Sequence, residues 1–176
     1  MKDRFLFFVA IFYFTISGLV AQEGNEGLYQ SIRSFGVLPE NSADVNKINL
    51  QKAIDWAATC GAALYVEPVE TPYKIAGGII LKKNVSLIGV HGPVPRGTKS
   101  PAKLQPVGSV FAISDTRNPF MTVRGNEKCT ISMFGCRMRD YRSDLPITIL
   151  NPNAVIQAEG CLDKKEEPFR LPAESK

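Results

Sequence analysis

The sequence predicts a mainly β protein: a short parallel β-helix of few coils, closed at its N-terminal end by one capping α-helix at about residues 44–58. Three observations carry this. Within Asp44 to Ala58, apolar residues fall at Leu50, Ala53, Ile54 and Ala57, the i, i+3, i+4, i+7 spacing of one helical face. Short apolar segments then follow, each about three to six residues long, against a usual strand length of about 5–6. Gly, Pro or Asn sits in nearly every gap, and no Asn-Gly hairpin turn joins any two segments. Such a rhythm suits either a sandwich or a solenoid. The helix favours the solenoid, because stacked coils expose a terminal core that needs a cap with a polar outer face.

In the helix, Val45 and Ile48 extend the apolar face toward the start, with Trp56 beside it near the end. Lys47, Gln51, Lys52 and Asp55 form an opposite face that can stay solvated. Asp44 or Asn46 can cap the first turn by accepting from a free backbone N–H. Gly61 lies where a left-handed residue ends a helix.

Before the helix, residues 1–21 have the layout of a secretory signal peptide. Lys2 and Arg4 make a basic start, Phe5 to Ile16 is almost wholly apolar, and Ser17-Gly18-Leu19-Val20-Ala21 offers small residues for cleavage. The competing reading is a retained anchor, since Phe5 to Val20 approaches the roughly 17 residues a spanning helix needs. Cleavage would put the chain in a secreted, periplasmic or cell-surface location, with no membrane contact afterwards. Residues 22–28 are polar and expected to be flexible. Residues 29–160 form the folded domain. Ile32 and Phe35 point inward, and Gly36 to Ala43 is a loop.

After the helix the expected strands are Ala62–Val66, Tyr73–Ala76, Ile79–Leu81, Val85–Val90, Lys103–Gln105, Val110–Ile113, Phe120–Val123 and Thr130–Met133. Asn151-Pro152-Asn153 interrupts, and Ala154–Ala158 reads as one more strand. Residues 161–176 read as a disordered tail, charged and Pro-bearing.

The chain has 176 residues and a net charge of +4, with Lys and Arg scattered rather than gathered in an arm, which argues against nucleic acid. His91 is the only histidine, so His-based triads and His-rich metal sites are largely excluded. Gly77-Gly78 lacks the Lys and the helix of a phosphate-binding loop. No catalytic residue, metal site or cofactor can be read from the residues themselves. The densest polar cluster holds Arg137, Arg139, Asp140, Tyr141, Arg142 and Asp144. Arg137, Arg139 and Arg142 are the candidate substrate-binding residues, because guanidinium forks suit the carboxylates of an acidic polysaccharide. The competing reading is a salt-bridged, solvated turn. Four cysteines are present. Cys129 and Cys136, seven apart, can close a small loop as a disulfide, or be buried as small hydrophobes.

A set of segments goes further. Phe35-Gly36-Val37, Leu50-Gln51-Lys52-Ala53-Ile54-Asp55, Ala63-Leu64-Tyr65-Val66-Glu67-Pro68, Tyr73-Lys74-Ile75 and Val85-Ser86-Leu87-Ile88-Gly89 occur in this order. Together they resemble the N-terminal portion of the pectate-lyase superfamily, the pectin-lyase-like right-handed parallel β-helices, over about residues 29 to 125. Two places depart from that pattern: Leu38-Pro39-Glu40-Asn41-Ser42 replaces an Asp-Gly loop, and the stretch from Pro68 to Tyr73 lacks a Gly. The resemblance implies an exported protein acting on pectin or another acidic glycan. It implies lyase or hydrolase chemistry on middle coils beyond the matched segment, with Ca²⁺ held by carboxylates in the lyase members. The alternatives are a non-catalytic carbohydrate-binding or structural module, or an inactive truncated remnant.

Overall fold

The computed structural model describes residues 29–90, 108–114, 118–139, 147–163, 165, 167 and 168. These residues are mainly β, with parallel sheets and one α-helix. The strands are β1 (Tyr29–Ser31), β2 (Ala63–Tyr65), β3 (Tyr73–Ile75), β4 (Ile79–Leu81), β5 (Val85–Ile88), β6 (Ser109–Ile113), β7 (Met121–Val123), β8 (Cys129–Phe134), β9 (Cys136–Arg139), β10 (Ile147–Ile149) and β11 (Ala154–Glu159). The helix, α1, spans Ala43–Cys60 between β1 and β2.

The first sheet has the order β1-β2-β5-β8-β11, the second β3-β6-β9 and the third β4-β7-β10. Every ladder between named strands is parallel. From β2 onward the chain visits the three sheets in rotation, so each strand lies beside the one reached a full circuit later. Inward residues therefore stack in columns. Leu64, Leu87 and Met133 align in the first sheet, Tyr73, Phe111 and Met138 in the second, and Ile79, Met121 and Ile147 in the third. All nine are buried, each worth about 1.5–3 kcal/mol for a large aliphatic or aromatic side chain. Phe111 sits between Tyr73 and Phe120, with ring centroids 6.1 and 5.4 Å away.

Most expected strands are found within a residue or two. Lys103–Gln105 and His91 lie outside the described residues. β9 and β10 were not anticipated. In β9 only Cys136 and Met138 are apolar, and the intervening arginines made the segment read as a turn.

Helix α1 buries Leu50, Ala53, Ile54 and Ala57 as expected, and Gly61 ends it at φ 71°, donating to Ala57 O at 2.8 Å. Phe35 and Trp56 pack at 5.3 Å. Three expectations are corrected. The N-cap is Ser42, whose Oγ accepts from Val45 N, and neither Asp44 nor Asn46. Val45 and Ile48 do not extend the buried face; they are 45% and 56% exposed. At about 100° per residue the inner stripe runs back from Leu50 to Asn46, which leaves both on the flank. Gln51 is not solvated but pairs with β4, as described below.

The tail expected from residue 161 is also corrected at its start. Cys161 is buried, Leu162 bridges Arg137 in parallel, and Pro168 folds back antiparallel on Leu162. The Asp163 carboxylate accepts from Lys165 N and Glu167 N, which closes that turn.

Candidate functional site

Two polar surfaces stand out. The first lies where β1 meets the start of the stack. Ser31 Oγ accepts from Arg33 N at 2.9 Å and donates to the Glu67 carboxylate. A short 3₁₀ turn, Ile32–Phe35, follows, and Gly36 at φ 81° ends it. That turn aims Arg33 across the gap, where its Nε donates to the Tyr73 hydroxyl at 3.2 Å. The hydrogen bond to Tyr73 holds the guanidinium above its ordinary pKa. Burial pushes the Tyr73 phenol up, so it stays neutral through neutral pH. The second carboxylate oxygen of Glu67 is buried without a hydrogen-bond partner. Beside this group is a cleft of about 430 Å³, lined by Arg33, Pro39, Pro68, Val69, Glu70 and Thr71. Its charges are mixed, with Arg33 and Glu70 both lining it.

The second surface is the outer face of the second sheet. In β3 Tyr73 and Ile75 turn inward and Lys74 is exposed. Lys74 pairs with Ala112, and Ala112 pairs with Arg139. Arg137 pairs with Val110 and is bridged to Leu162 in the next row. Rungs lie about 4.8 Å apart, so the register positions of Lys74 and Arg139 are about 10 Å apart in one row.

Of the three arginines expected to bind substrate, Arg137 and Arg139 are thus strand residues rather than turn residues. Arg142, with Asp140, Tyr141 and Asp144, lies outside the described residues. Lys74 was missed; its signal was the alternation Tyr73-Lys74-Ile75, apolar on either side of one cation. Arg33 was missed because its partner Tyr73 is forty positions away.

The expected Cys129–Cys136 disulfide is not made; both thiols are free. β8 runs between them as extended chain, which at about 3.3 Å per residue holds their Cα atoms far beyond the roughly 7 Å limit for a disulfide. Among the described residues no group of three or more His, Cys, Asp or Glu could hold a metal ion. These residues therefore do not fit the Ca²⁺ site that the family resemblance implies. No described helix is long and apolar enough to cross a membrane. No protein-family description, curated protein or solved structure matches the chain.

Proposed function

We propose that the chain is the front portion of an exported, right-handed parallel β-helix related to the pectate-lyase superfamily, and that it binds an acidic polysaccharide along the outer face of its second sheet. The observation that carries the reading is the register placing Lys74 and Arg139 in one row with Arg137 in the next. Two cationic residues at register positions two rungs apart in one row suit a polymer that carries a carboxylate on every sugar, because guanidinium and ammonium groups make charge-assisted bonds to carboxylates. The rotation through three parallel sheets supports the β-helix, and parallel crossovers within one sheet are right-handed in about 98% of cases. The apolar stretch Phe5 to Ile16 behind Lys2 and Arg4 supports export.

The test is affinity electrophoresis of the purified chain in gels containing polygalacturonate or a neutral glucan. Retardation is expected in the acidic polymer alone. It should weaken with added salt and fall several-fold in a Lys74→Ala, Arg139→Ala double variant. Unchanged mobility in polygalacturonate, or equal retardation in the neutral polymer, would remove the reading. Incubation with the same polymer, with and without Ca²⁺, is read for unsaturated ends and reducing sugar; release of either would replace binding with lyase or hydrolase activity. The N-terminal residue of chain recovered outside the cell tests export separately.

A further inference from the structure

The corner between the first and second sheets repeats. Phe134-Gly135-Cys136-Arg137 leaves β8 for β9, and Glu159-Gly160-Cys161-Leu162 leaves β11 one circuit later, each residue twenty-five positions after its counterpart. Gly135 and Gly160 turn the corner in the same left-handed conformation, both at φ 62°. They lie on one another: a Cβ built on Gly160 would stand 3.7 Å from Gly135 N. Gly135 N donates to Glu159 O at 3.0 Å, Leu162 N to Cys136 O at 3.1 Å and Met138 N to Leu162 O at 3.0 Å. These bonds set Arg137 opposite Leu162 and so set Cys136 opposite Cys161. Both cysteines point into the core, at 0% and 2% exposure. The other two cannot compete. Cys129 pairs with Ala154, and Cys60 is exposed at the end of α1.

We propose that Cys136 and Cys161 are an inter-coil disulfide pair, joined in the exported chain so that the last circuit is fastened to the one before it. Adjacent rungs hold Cα atoms about 4.8 Å apart, inside the roughly 4.4–6.8 Å range of disulfides. In the reduced chain the Cys136 sulfur lies against Gly89, where a Cβ would approach it to 2.7 Å. Rotation about χ1 turns it toward Cys161. The oxidant is a small disulfide of the glutathione type. A thiolate from one cysteine attacks it to give a mixed disulfide and one released thiol. The second cysteine then displaces the remaining small thiol, so the two cysteine protons end on the two released thiols and the small disulfide is the species reduced. Burial holds both thiols above their ordinary pKa, with the neighbouring Cys161 adding to the effect on Cys136. Exchange therefore belongs to the stage before the last circuit closes, and the finished bond is shielded from reductant. The proposal rests on export, because an oxidising compartment is what retains such a bond.

The full chain is refolded from denaturant in a glutathione–glutathione disulfide buffer, quenched with iodoacetamide and digested without reduction. Mass spectrometry should find one cross-linked peptide pair, joining Cys136 to Cys161 at a mass about 2 Da below the two reduced peptides, with Cys60 and Cys129 alkylated. Reduction with dithiothreitol in denaturant, followed by refolding with the reductant kept, should lower the thermal midpoint relative to the oxidised chain by about 6–12 °C and leave a Cys136→Ser, Cys161→Ser variant unmoved. Cys136 and Cys161 both recovered alkylated, or Cys136 joined to Cys60 or Cys129, would overturn the pairing. Refolding in vitro does not depend on export, so a failed pairing and a failed export are read apart.

Discussion

The two ends of the stack solve one problem differently. At the front, β3 and β4 are edge strands that would present unpaired backbone groups, and α1 meets them with side-chain amides. Asn46 Nδ2 donates to Lys74 O at 3.0 Å, and Gln51 both donates to Ile80 O and accepts from Ile80 N, each at 2.9 Å. Ala76 N donates to Ala43 O at 3.0 Å. Leu50, Ala53, Ile54 and Ala57 lie over the inward columns and are buried. At the rear, among the described residues, β11 follows β8 in register but stays half covered. Ala154, Ile156 and Ala158 occupy the columns of Cys129, Ile131 and Met133, yet remain only partly buried. Val155 and Leu150 are 54% and 59% exposed. On the second sheet, Pro168 stands against Leu162, and proline offers no N–H for a further strand. The lesson is that an apolar lid alone does not finish a parallel stack. The front is finished because two amides on the helix pair with strand backbone as a neighbouring strand would.

The sharpest way to break this comparison is Asn46→Ala. Asn46 is fully buried and also donates to Leu38 O at 2.7 Å and accepts from Leu38 N at 2.9 Å. Removing the amide leaves three part-buried backbone groups, Leu38 N, Leu38 O and Lys74 O, without this partner, each at a cost of up to about 1–3 kcal/mol. A net loss of about 3–4 kcal/mol is expected, a fall of about 6–16 °C in thermal midpoint by circular dichroism. A midpoint within about 2 °C of wild type, inside the effect of an ordinary surface substitution, would mean that the amide bonds do not hold the cap. Next come matched truncations of the two lids. Ile54→Ala at the buried front should cost about 3 kcal/mol, and Ile156→Ala at the half-covered rear about 1 kcal/mol, because less apolar surface is lost and the cavity is open. Equal costs by urea titration would erase the contrast between the ends.

Much of the front was legible in the sequence, and the reason is periodicity. Leu50, Ala53, Ile54 and Ala57 announce a helical face, and alternating triplets such as Tyr73-Lys74-Ile75 announce strands whose middle residue faces out. Asn46 and Gln51 were read as cap and solvent because their partners, Lys74 and Ile80, are 28 and 29 residues distant. Nothing local distinguishes an amide that binds water from one that binds a strand edge. The rear was read less well. Cys136-Arg137-Met138-Arg139 alternates at period two, but its charged members dominated the reading, so the arginines were placed in a turn. The cysteine spacing misled in the same way. Seven residues suggested a loop, whereas the circuit of twenty-five sets Cys136 beside Cys161.

Gln51→Ala separates edge pairing from lid packing, since Ala53, Ile54 and Ala57 stay in place. The loss should be about 1–2 kcal/mol for one donor and one acceptor on Ile80. It should also add concentration-dependent association in sedimentation velocity, because the freed edge of β4 can accept another strand. A destabilised variant that stayed monomeric would assign Gln51 to stability alone.

The smallest expected effect is at Ser42. Its Oγ accepts from Val45 N at 3.4 Å, a long bond in an exposed place. Ser42→Ala should therefore cost about 0.5–1 kcal/mol, the low end for an N-cap, or about 1–4 °C in thermal midpoint. The main chain already holds this turn by two other bonds, Asn46 N to Ser42 O at 3.1 Å and Ala76 N to Ala43 O. If the cap is fastened to the stack by its amides, loss of the Ser42 hydroxyl frays one turn and leaves the Asn46 contacts standing. Hydrogen exchange should then quicken at Val45 and stay unchanged at Ile80. Quickened exchange at both would mean that the first turn, rather than the amide pairing, sets how firmly the helix sits.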